Sequence, residues 1–520
     1  MKVVLSSEMS DIEERAEGLG VSRDQLMENS GLAVADFIGS EIGNLDGIRV
    51  VALIGSGNNG SDGLITCSYL ARRGAKVTAA ILANRNSPDV KLRDAERCDV
   101  HTVAVDKVPD GLNYLLKAAA RSHVLVDAVL GTGLSRVIVD PLKTVLEKVS
   151  EVMPSDALVV AVDLPSGLDS DGDTFYQPSI VPSMTVALGY PKLGHLTPAG
   201  IAGSGVLRVA DIGIPGGLDS AIDVNITEDC QAAELLPKRP RDSNKGTFGK
   251  AMIVGGSSNF VGAPVMAAAG AARSGAGIVT LSGPRSSMFS SANLFPEITL
   301  LPFVEDGEGM YDGWLSARNI YKSITGYTSL LLGCGLGVSP ESKKLTESLL
   351  LSFLELPPLV IDADGLNLLG GFSKWWDRLP DESVITPHPG EMSRLTGLSV
   401  REIQSNRVAI TRSAAEDWKK VVVLKGANTV IGMPEGSVWI SEFVNSGLST
   451  AGTGDVLAGL ITGLIAQGVT TRDAAVLGVY LHGVVGNTVS DRLGKAGMMA
   501  TDLLAEIPTT ISYLQSIQGE

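Results

Sequence analysis

The stretch IRVVALIGSGNNGSDG, residues 48–63, decides the fold of the first part of the chain. Its apolar opening is rich in β-branched side chains and predicts a buried strand, which a glycine-rich turn connects to a helical pattern. Three further apolar runs, at 76–82, 122–130 and 157–165, alternate with helical segments. This alternation predicts a parallel sheet with helices on both faces, a Rossmann-like three-layer αβα domain.

A second alternation of strands and helices starts with KAMIVGGS, residues 250–257, and predicts a second αβα domain. The helix after it, at 262–276, consists mostly of small residues. The strand-and-turn pattern then recurs in GIVTLSG, SLLLGCGLG, PLVIDADGL, SVITPHPGE and VVVLKGA. Residues 233–249 are charged and contain prolines, which is typical of a connection between domains. We therefore expect an N-terminal domain over 1–222 and a C-terminal domain over 223–520.

Composition and charge argue against several classes of protein. The 520 residues are 44% hydrophobic, enough for full-sized cores, and their net charge of −16 argues against nucleic acid as the partner. No apolar stretch reaches transmembrane length without glycine, proline or charge, and the start of the chain lacks a signal-peptide core. The four cysteines form no CxxC pair, so neither a zinc site nor a disulfide framework is indicated. We expect a protein of the reducing cytoplasm that binds no membrane.

The glycine-rich turn after the first strand admits more than one interpretation. Gly55, Gly57 and Gly60 form a GxGxxG pattern, which is typical of dinucleotide-dependent dehydrogenases. Such an enzyme needs an acidic residue at the end of the next strand to bind the ribose. Here that strand ends in AlaAsnArg, residues 83–85, without an acid, so a simple dehydrogenase is the less favoured alternative.

Oxygen-bearing side chains gather at three predicted strand ends of this domain. They are Asn58, Asn59, Asp62, Asp127, Asp163 and Ser166. The carboxyl ends of parallel strands meet at one edge of the sheet, where ligands bind. The helix N-terminus there favours an anion, whereas oxygen ligands without His or Cys suit a hard cation or a ribose. The alternative is that each aspartate only caps the turn that follows it.

The N-terminal motifs resemble the YjeF N-terminal family of NAD(P)H-hydrate epimerases. They are LMENSG, GSGNNGSDG, DAVLGTGLSR, DLPSGLDSD, GYPKLGH and DIGIP, in that order over about residues 1–220. The resemblance implies a potassium ion (K+) near Asn59, Asp127 and Ser166. It implies substrate contacts from Asn58, Asn59, Gly60, Ser61, Asp62, Gly131, Thr132, Gly133, Leu134, Ser135, Arg136, Val137 and Asp163.

One position departs from that family, since Ser61 stands where glycine is usual. A serine fits there if its φ angle is negative, whereas a positive φ would strain the loop. Epimerisation requires either reversible loss of hydroxide from the hydrated carbon or ring opening. We take Asp163 as the candidate catalytic carboxylate that relays the proton.

The strongest local pattern of the second domain is STAGTGDVLAGLITGLIAQG, residues 449–468. Consecutive amides at Gly452, Thr453 and Gly454 can hold a developing phosphate charge at a helix N-terminus. Asp455 can take the proton of a hydroxyl that attacks the phosphate. There is no GxxxxGK[ST] sequence, which excludes a P-loop enzyme. The alternative is an ordinary Gly-Asp helix cap.

Two further turns belong to the same predicted sheet edge. VLKGANTVI, residues 423–431, places Lys425 just after a strand, where its ammonium and the loop amides can meet nucleotide phosphates. TPHPGEMSRLTG, residues 386–397, places His388 between two prolines at a strand end. A lone histidine is often structural, but this setting favours a role in binding.

The C-terminal motifs resemble the ribokinase-like superfamily, and within it the YjeF C-terminal family of ADP- or ATP-dependent NAD(P)H-hydrate dehydratases. KGTFGKAMIVGGSSNFVGAPVMAAAGAARSGAG, GCGLG, DADGLN, HPGE, KGANT, NSG and AGTGD occur in family order over about residues 230–510. The resemblance implies that the hydrated nicotinamide contacts Ala263, Gly335, Gly337, His388 and Asp455. It implies that ADP or ATP, with Mg2+, is held by Lys425, Gly426, Ala427, Asn428, Thr429 and Gly454.

Together the two resemblances imply a bifunctional repair enzyme. One domain would interconvert R- and S-NADHX and NADPHX, and the other would dehydrate the S epimer after its hydroxyl is phosphorylated, with Asp455 as the base. Two other classes stay open: a small-molecule kinase that carries a binding domain, and a non-catalytic nucleotide sensor. A homo-oligomer is expected from the resemblance alone.

Overall fold

A computed structural model describes residues 1–85, 88–133, 137–306, 310–351 and 355–518. The chain divides into two compact units, Met1–Ile222 and Asp223–Glu520. No helix in the described ranges is long and apolar enough to cross a membrane.

The N-terminal unit alternates strands and helices after two initial helices. Its strands are β1 (Arg49–Ile54), β2 (Lys76–Ile81), β3 (His101–Ala104), β4 (Val124–Ala128), β5 (Leu158–Val162), β6 (Met184–Leu188) and β7 (Val206–Ala210). Its helices are α1 (Ser6–Gly18), α2 (Arg23–Ile42), α3 (Asn58–Arg72), α4 (Val90–Arg97), α5 (Gly111–Ala119), α6 (Leu142–Val152) and α7 (Pro198–Gly203), with the 3-10 helix η1 at Leu193–Leu196.

These strands form one parallel sheet in the order β3-β2-β1-β4-β5-β6-β7. Successive side chains of a strand point to opposite faces, so β1 feeds two cores. Val50, Ala52 and Ile54 belong to one core, whereas Val51 and Leu53 belong to the other. The sheet is therefore covered on both faces, as a Rossmann-like αβα domain requires.

Local sequence explains where the helices next to the site begin and how closely they pack. Ser22 caps α2, because its side chain accepts a hydrogen bond from Gln25 N at 3.2 Å. Helix α3 lies so close to the sheet that a Cβ on Gly63 would come within 2.4 Å of the Ala128 side chain. The glycine at that position thus brings the N-terminus of α3 up to the ends of β1 and β4.

The C-terminal unit repeats the alternation on a larger scale. Its strands are β8 (Val224–Ile226), β9 (Lys250–Val254), β10 (Ile278–Gly283), β11 (Thr299–Pro302), β12 (Ser329–Leu332), β13 (Leu359–Ile361), β14 (Ser383–Ile385), β15 (Val421–Leu424), β16 (Val430–Gly432) and β17 (Val438–Ile440). Its helices are α8 (Asp229–Glu234), α9 (Gly262–Arg273), α10 (Arg285–Leu294), α11 (Gly313–Ser323), α12 (Pro340–Leu351), α13 (Asp364–Leu369), α14 (Pro389–Thr396), α15 (Val400–Ser405), α16 (Arg407–Trp418), α17 (Thr453–Ala466), α18 (Thr471–Leu493) and α19 (Ala500–Gln518), with the 3-10 helices η2 (Trp375–Arg378) and η3 (Ser446–Ser449).

The second sheet has the order β11-β10-β9-β12-β13-β14-β15-β16-β17-β8. Strands from β11 to β15 are parallel, whereas β16 is antiparallel to both of its neighbours. Helices α9 and α17 pack over one face, and a Cβ on Gly459 would meet the Ala267 carbonyl at 1.9 Å. Each fully buried Leu, Ile or Val in such a core contributes about 1.5–3 kcal/mol, so the scaffold can hold strained turns at its edge.

Candidate active sites

The N-terminal unit has a cavity of about 420 Å³ at the carboxyl edge of its sheet. The predicted residues that line it are Asn58, Asn59, Asp62, Gly131, Thr132, Gly133 and Asp163. Helices α1 and α2 add Glu13 and Arg23. The lining that the structure describes does not include Gly60, Ser61 or Val137. Three further predicted contacts lie outside the described residues, namely Leu134, Ser135 and Arg136.

Asp127 and Ser166 form a buried pair behind the cavity wall. The Asp127 carboxylate accepts hydrogen bonds from Ser166 N at 2.8 Å and from Ser166 Oγ at 2.6 Å. Ser166 Oγ accepts in turn from Leu130 N at 2.9 Å. Burial raises the pKa of Asp127, and these hydrogen bonds only partly oppose it. Because no cation pairs with Asp127 among the described residues, its negative charge is left unbalanced.

Asn59 joins this pair through the same loop residue. Its Nδ2 donates to Leu130 O at 3.0 Å, whereas its Oδ1 is buried without a partner among the described groups. A buried acceptor without a donor is costly and requires an explanation. An oxygen of this kind, next to an unbalanced carboxylate and a hydroxyl, is the donor set that a hard cation prefers. Asn59, Asp127 and Ser166 thus fit K+.

Asp62 faces the cavity from the first turn of α3. Burial raises its pKa well above the usual range, and the charges of Asp163 and Glu13 add to the effect. Its Oδ1 is buried and has no partner in the part of the chain that the structure describes. Such a carboxyl is available to a ligand hydroxyl that enters the cavity.

Ser61 has an ordinary helical backbone within α3, so its φ is negative. Its hydroxyl accepts a hydrogen bond from Arg85 NH2 at 2.8 Å, and Arg85 NH1 donates to Gly55 O at 2.5 Å. Asp89 neutralises Arg85 at 2.5 Å. The serine therefore causes no backbone strain. The neighbouring position 60 requires glycine, because a Cβ on Gly60 would come within 2.2 Å of Gly55 O.

Asp163 follows β5 in a left-handed conformation, with φ +63°. Its Oδ1 accepts hydrogen bonds from Lys192 Nζ at 2.5 Å and from Leu188 N at 3.0 Å. Lys192 is only 1% exposed, and its ammonium also donates to Leu188 O at 3.0 Å. A partly buried aspartate and a buried lysine therefore share one wall of the cavity.

His195 secures the backbone of this pair. Burial lowers the pKa of His195 to about 4, so the imidazole is neutral at ordinary pH. Its Nδ1 accepts a hydrogen bond from Lys192 N at 3.0 Å, which places the ring proton on Nε2. Nε2 lies 2.9 Å from Asp163 O and donates to it. One imidazole thus links the backbones of the aspartate and the lysine.

In the C-terminal unit, Asp455 lies in the first turn of α17. The helix begins after Gly452, whose φ of +95° is the left-handed turn that glycine permits. His482 Nε2 lies 3.0 Å from Thr453 O and holds this turn. Burial raises the pKa of Asp455 to about 6, and the Asp362 charge adds to the effect.

Lys425 connects three motifs at this edge. Its ammonium donates to Asp362 Oδ1 at 2.5 Å and lies 3.9 Å from Glu391 Oε2. Burial lowers the pKa of Lys425, but the two carboxylates outweigh that effect and raise it. Burial raises the pKa of Glu391 to about 7. A Cβ on Gly454 would lie 3.4 Å from Lys425 Nζ, so the ammonium faces the AGTGD turn.

His388 caps α14 rather than filling a core. Its Nδ1 accepts from Gly390 N at 2.9 Å, and its own amide donates to Glu391 Oε2 at 2.8 Å. Partial burial and the Lys425 charge lower the pKa of His388, so the ring is neutral. About half of the side chain is exposed, and Nε2 lies 3.4 Å from Glu391 Oε1.

Hydrogen bonds to neighbouring segments fix one side of the KGANT turn, and its other side is exposed. Arg407 NH2 donates to Leu424 O at 2.9 Å, and Asn428 Nδ2 donates to Ser441 O at 2.7 Å. Gly426 and Ala427 are exposed, whereas Thr429 is half-buried. The structure brings this turn to Gly454 through the Lys425 side chain.

The remaining predicted contacts meet at the DADG turn. A Cβ on Gly335 would come within 2.9 Å of the Ala263 side chain, and Gly337 N donates to Asp364 Oδ2 at 2.8 Å. Ala363 has φ +51° and ψ −121°, a conformation that costs a non-glycine residue about 1–3 kcal/mol. This turn sends Asp362 towards Lys425 and Asp364 towards the Gly337 amide.

Several residues at these two edges were not predicted as site residues. They are Glu13, Lys192, Cys334, Asp362 and Glu391. Lys192 lies within the GYPKLGH motif, Asp362 within DADG and Glu391 within HPGE. These motifs could therefore have identified the three residues as site candidates. Cys334 Sγ and the carboxylates of Asp362 and Asp455 lie within 4.8 Å of one another, a proximity that spacing alone does not reveal.

Two family models match the chain, one in each unit. Residues 23–194 match the model described as YjeF-related protein N-terminus, and residues 251–509 match the model described as NAD(P)H-hydrate dehydratase. The bifunctional NAD(P)H-hydrate repair enzyme Nnr of Moorella thermoacetica is 34% identical over 99% of this chain and 97% of its own length. The chain belongs to the family of bifunctional NAD(P)H-hydrate repair enzymes. The enzyme of the same name from Thermofilum pendens is also 34% identical, with the same shares of both chains.

This membership confirms the predicted repair function. A bifunctional NAD(P)H-hydrate repair enzyme combines an epimerase in the N-terminal unit with a dehydratase in the C-terminal unit. Among solved structures, the ADP/ATP-dependent NAD(P)H-hydrate dehydratase of Bacillus subtilis, co-crystallized with ATP and Mg2+, is 27% identical. It covers 56% of this chain and 100% of its own, with a TM-score of 0.48.

Proposed function

We propose that Asp163 is the proton-relay residue of the epimerase and Asp455 the catalytic base of the dehydratase in a repair enzyme for NADHX and NADPHX. One observation carries the proposal: each unit places a partly buried carboxylate and a lysine at the carboxyl edge of its parallel sheet. Asp163 forms an ion pair with Lys192 at 2.5 Å, and Asp455 follows Gly454, which the Lys425 ammonium faces. Ligands bind at such edges, and carboxyl groups with perturbed surroundings suit proton transfer.

In the epimerase, the cavity takes the hydrated nicotinamide and its ribose. Asp163 meets the hydroxyl on the hydrated carbon, and Asp62 accepts or donates at a ribose hydroxyl. The amides at the start of α3 favour the pyrophosphate. Asn59, Asp127 and Ser166 would hold K+, which would supply positive charge next to the phosphate-bearing substrate.

In the dehydratase, Asp455 takes the proton of the substrate hydroxyl while that oxygen attacks the terminal phosphorus of ADP or ATP. In the ester that forms, phosphate is a better leaving group than hydroxide. Its departure, with loss of a proton from the neighbouring ring carbon to solvent, regenerates the dihydronicotinamide. Lys425, next to Gly454, stabilises the charge that develops on the phosphate. His388, half-exposed beside Glu391, contacts the hydrated nicotinamide.

A divalent cation accompanies the nucleotide in this proposal. Among the described residues of this edge, the carboxylates of Asp362 and Glu391 would supply oxygen donors of the kind that Mg2+ prefers. Mg2+ would neutralise the phosphate oxygens that otherwise repel the attacking hydroxyl. Gly426, Ala427, Asn428 and Thr429 would hold the nucleotide alongside Lys425.

The deciding experiment uses purified protein and a mixed pool of R- and S-NADHX. The near-ultraviolet absorbance of the dihydronicotinamide is followed with ADP, with ATP and with neither. Nearly complete, nucleotide-dependent recovery supports both activities. Recovery that stops with one epimer left contradicts the epimerase, and a stable phosphorylated product would instead favour a small-molecule kinase.

Two variants separate the residue roles. Asp163→Asn is expected to abolish epimerisation while S-NADHX is still dehydrated, and Asp455→Asn is expected to do the reverse. Because both activities belong to one chain, the activity that each variant retains is the control for its folding. An active Asp163→Asn epimerase would remove Asp163 from the mechanism. The cytoplasmic location and the homo-oligomer stay predictions from the sequence.

A further inference from the structure

We propose that Lys192 is a positioning residue that holds Oδ1 of the Asp163 carboxylate and presents the other oxygen to the substrate, so that epimerisation proceeds by ring opening. This inference rests on the proposed role of Asp163. It chooses between the two routes to epimerisation, because loss of hydroxide needs a proton donor at the start, whereas ring opening needs a base.

The contacts of Asp163 distinguish its two oxygens. Oδ1 accepts from Lys192 Nζ at 2.5 Å and from Leu188 N at 3.0 Å. Both of the side chain's hydrogen bonds among the described groups thus go to one oxygen. Because Asp163 lines the cavity, Oδ2 is the oxygen left for the substrate.

Lys192 cannot turn away from this partner. It is 1% exposed, its ammonium is shared between Asp163 Oδ1 and Leu188 O, and its amide is bound by His195 Nδ1. The same imidazole donates to Asp163 O and supports the left-handed backbone there. An aspartate and a lysine fixed through both side chain and backbone keep a constant geometry during turnover.

The surrounding charges make the lysine necessary. Two further carboxyl groups face Asp163: Glu13 on α1 and Asp62 on α3. Burial raises the pKa of both groups. The other charged or titratable groups that act on these carboxyls are Arg23, Lys91 and His195, of which His195 is neutral. Lys192 is the cation in direct contact with Asp163.

Epimerisation then starts at the free oxygen of the Asp163 carboxylate. Oδ2 takes the proton from the hydroxyl of the hydrated carbon. The oxygen then forms a carbonyl as the carbon–nitrogen bond of the ring breaks, and its electron pair stays on the ring nitrogen. That nitrogen takes the proton back from Asp163. Rotation and the reverse sequence close the ring on the other face, with no oxidant or reductant consumed.

The first test is the pH profile of epimerase kcat/KM, measured without nucleotide so that the dehydratase is silent. Lys192→Met is expected to move the acid-side midpoint up by about one to three pH units, as loss of an adjacent cation does for a carboxylate. Lys192→Arg retains the positive charge and is expected to restore a near-wild-type midpoint. Lys148→Met, on the exposed face of α6, is the matched control and is expected to change nothing. An unshifted Lys192→Met midpoint overturns the proposal.

The second test uses the wild-type protein and so does not depend on the folding of a variant. S-NADHX is epimerised in oxygen-18 water, again without nucleotide. Ring opening retains the substrate oxygen, whereas loss of hydroxide puts solvent oxygen into every R epimer formed. Full incorporation overturns the inference even if Asp163→Asn is inactive, and an active Asp163→Asn variant would instead defeat the proposed function itself.

Discussion

The pH dependence of the dehydratase gives the sharpest test of Asp455 as a base. Burial raises the pKa of this carboxyl to about 6, and repulsion from Asp362 adds to the effect. A base with that pKa is about one-tenth ionised at pH 5. We therefore expect kcat/KM for S-NADHX to fall about tenfold between a plateau near pH 8 and pH 5.

A charge variant tests the cause of the raised pKa. Asp362→Asn removes the larger of the two carboxylate charges that act on Asp455, so the acid-side midpoint should move to lower pH. Asp364→Asn removes the smaller one and should move it less. Asp377→Asn, on an exposed side chain, is the control and should not move it. The prediction concerns the order of the three acid-side midpoints, with Asp362→Asn the lowest and Asp377→Asn unchanged. It does not depend on the plateau rates of the variants.

The assay follows the dihydronicotinamide absorbance with pure S-NADHX, a fixed excess of Mg2+ and each nucleotide in turn. Excess Mg2+ keeps the nucleotide phosphates in one ionic form across the range. The ratio kcat/KM is the right quantity, since it reports the free enzyme. A flat profile from pH 5 to 8, or a midpoint that Asp362→Asn leaves in place, would refute Asp455 as the titrating base.

Three other outcomes are expected. Asp127→Asn should lower epimerase activity at least tenfold and leave the dehydratase unaffected. It should also remove the difference in epimerase activity between KCl and LiCl at constant ionic strength. A retained K+ response would contradict the cation site. Ser61→Gly should leave epimerase activity within about twofold but destabilise the N-terminal unit to urea by about 1 kcal/mol, because a glycine replaces a helical residue that binds Arg85. His195 and His482 have folded pKa values lowered to about 4, so the stability each preserves is present above pH 6.5 and lost as the pH falls towards 4. Urea unfolding at pH 7 and 5 should show a loss of about 2 kcal/mol for each histidine, which a glutamine in its place should abolish.

Much of the fold was predictable because apolar runs and glycine turns repeat in order. The runs at 48–55, 76–82, 122–130 and 157–165 contain β1, β2, β4 and β5. Short strands escaped prediction: β3 is a partly exposed edge strand, and β8 joins the sheet only by pairing with β17, far along the chain. Such pairings depend on tertiary contacts that local periodicity does not encode.

The candidate sites divide in the same way. Strand-end carboxylates and glycine turns predicted Asp163 and Asp455, since the sheet brings such ends to one edge. The lysine contacts were not predictable, because Lys192 is 29 residues from Asp163 and Lys425 is 63 residues from Asp362. Hydrophobicity alone would place a lysine on the surface, and only the folded chain explains why Lys192 is buried and Lys425 partly buried.

At Ala363 of the dehydratase, the residue that would favour stability differs from the one that would favour activity. The turn would be easier for glycine, so a selection for thermal endurance alone would favour Ala363→Gly. That exchange would also let the flanking aspartates wander, one bound to an ammonium and the other to a backbone amide. Alanine restricts the backbone freedom that a glycine would have between the two aspartates. The scaffold's large core can bear its cost, and a variant improved only for endurance would therefore be a slower repair enzyme.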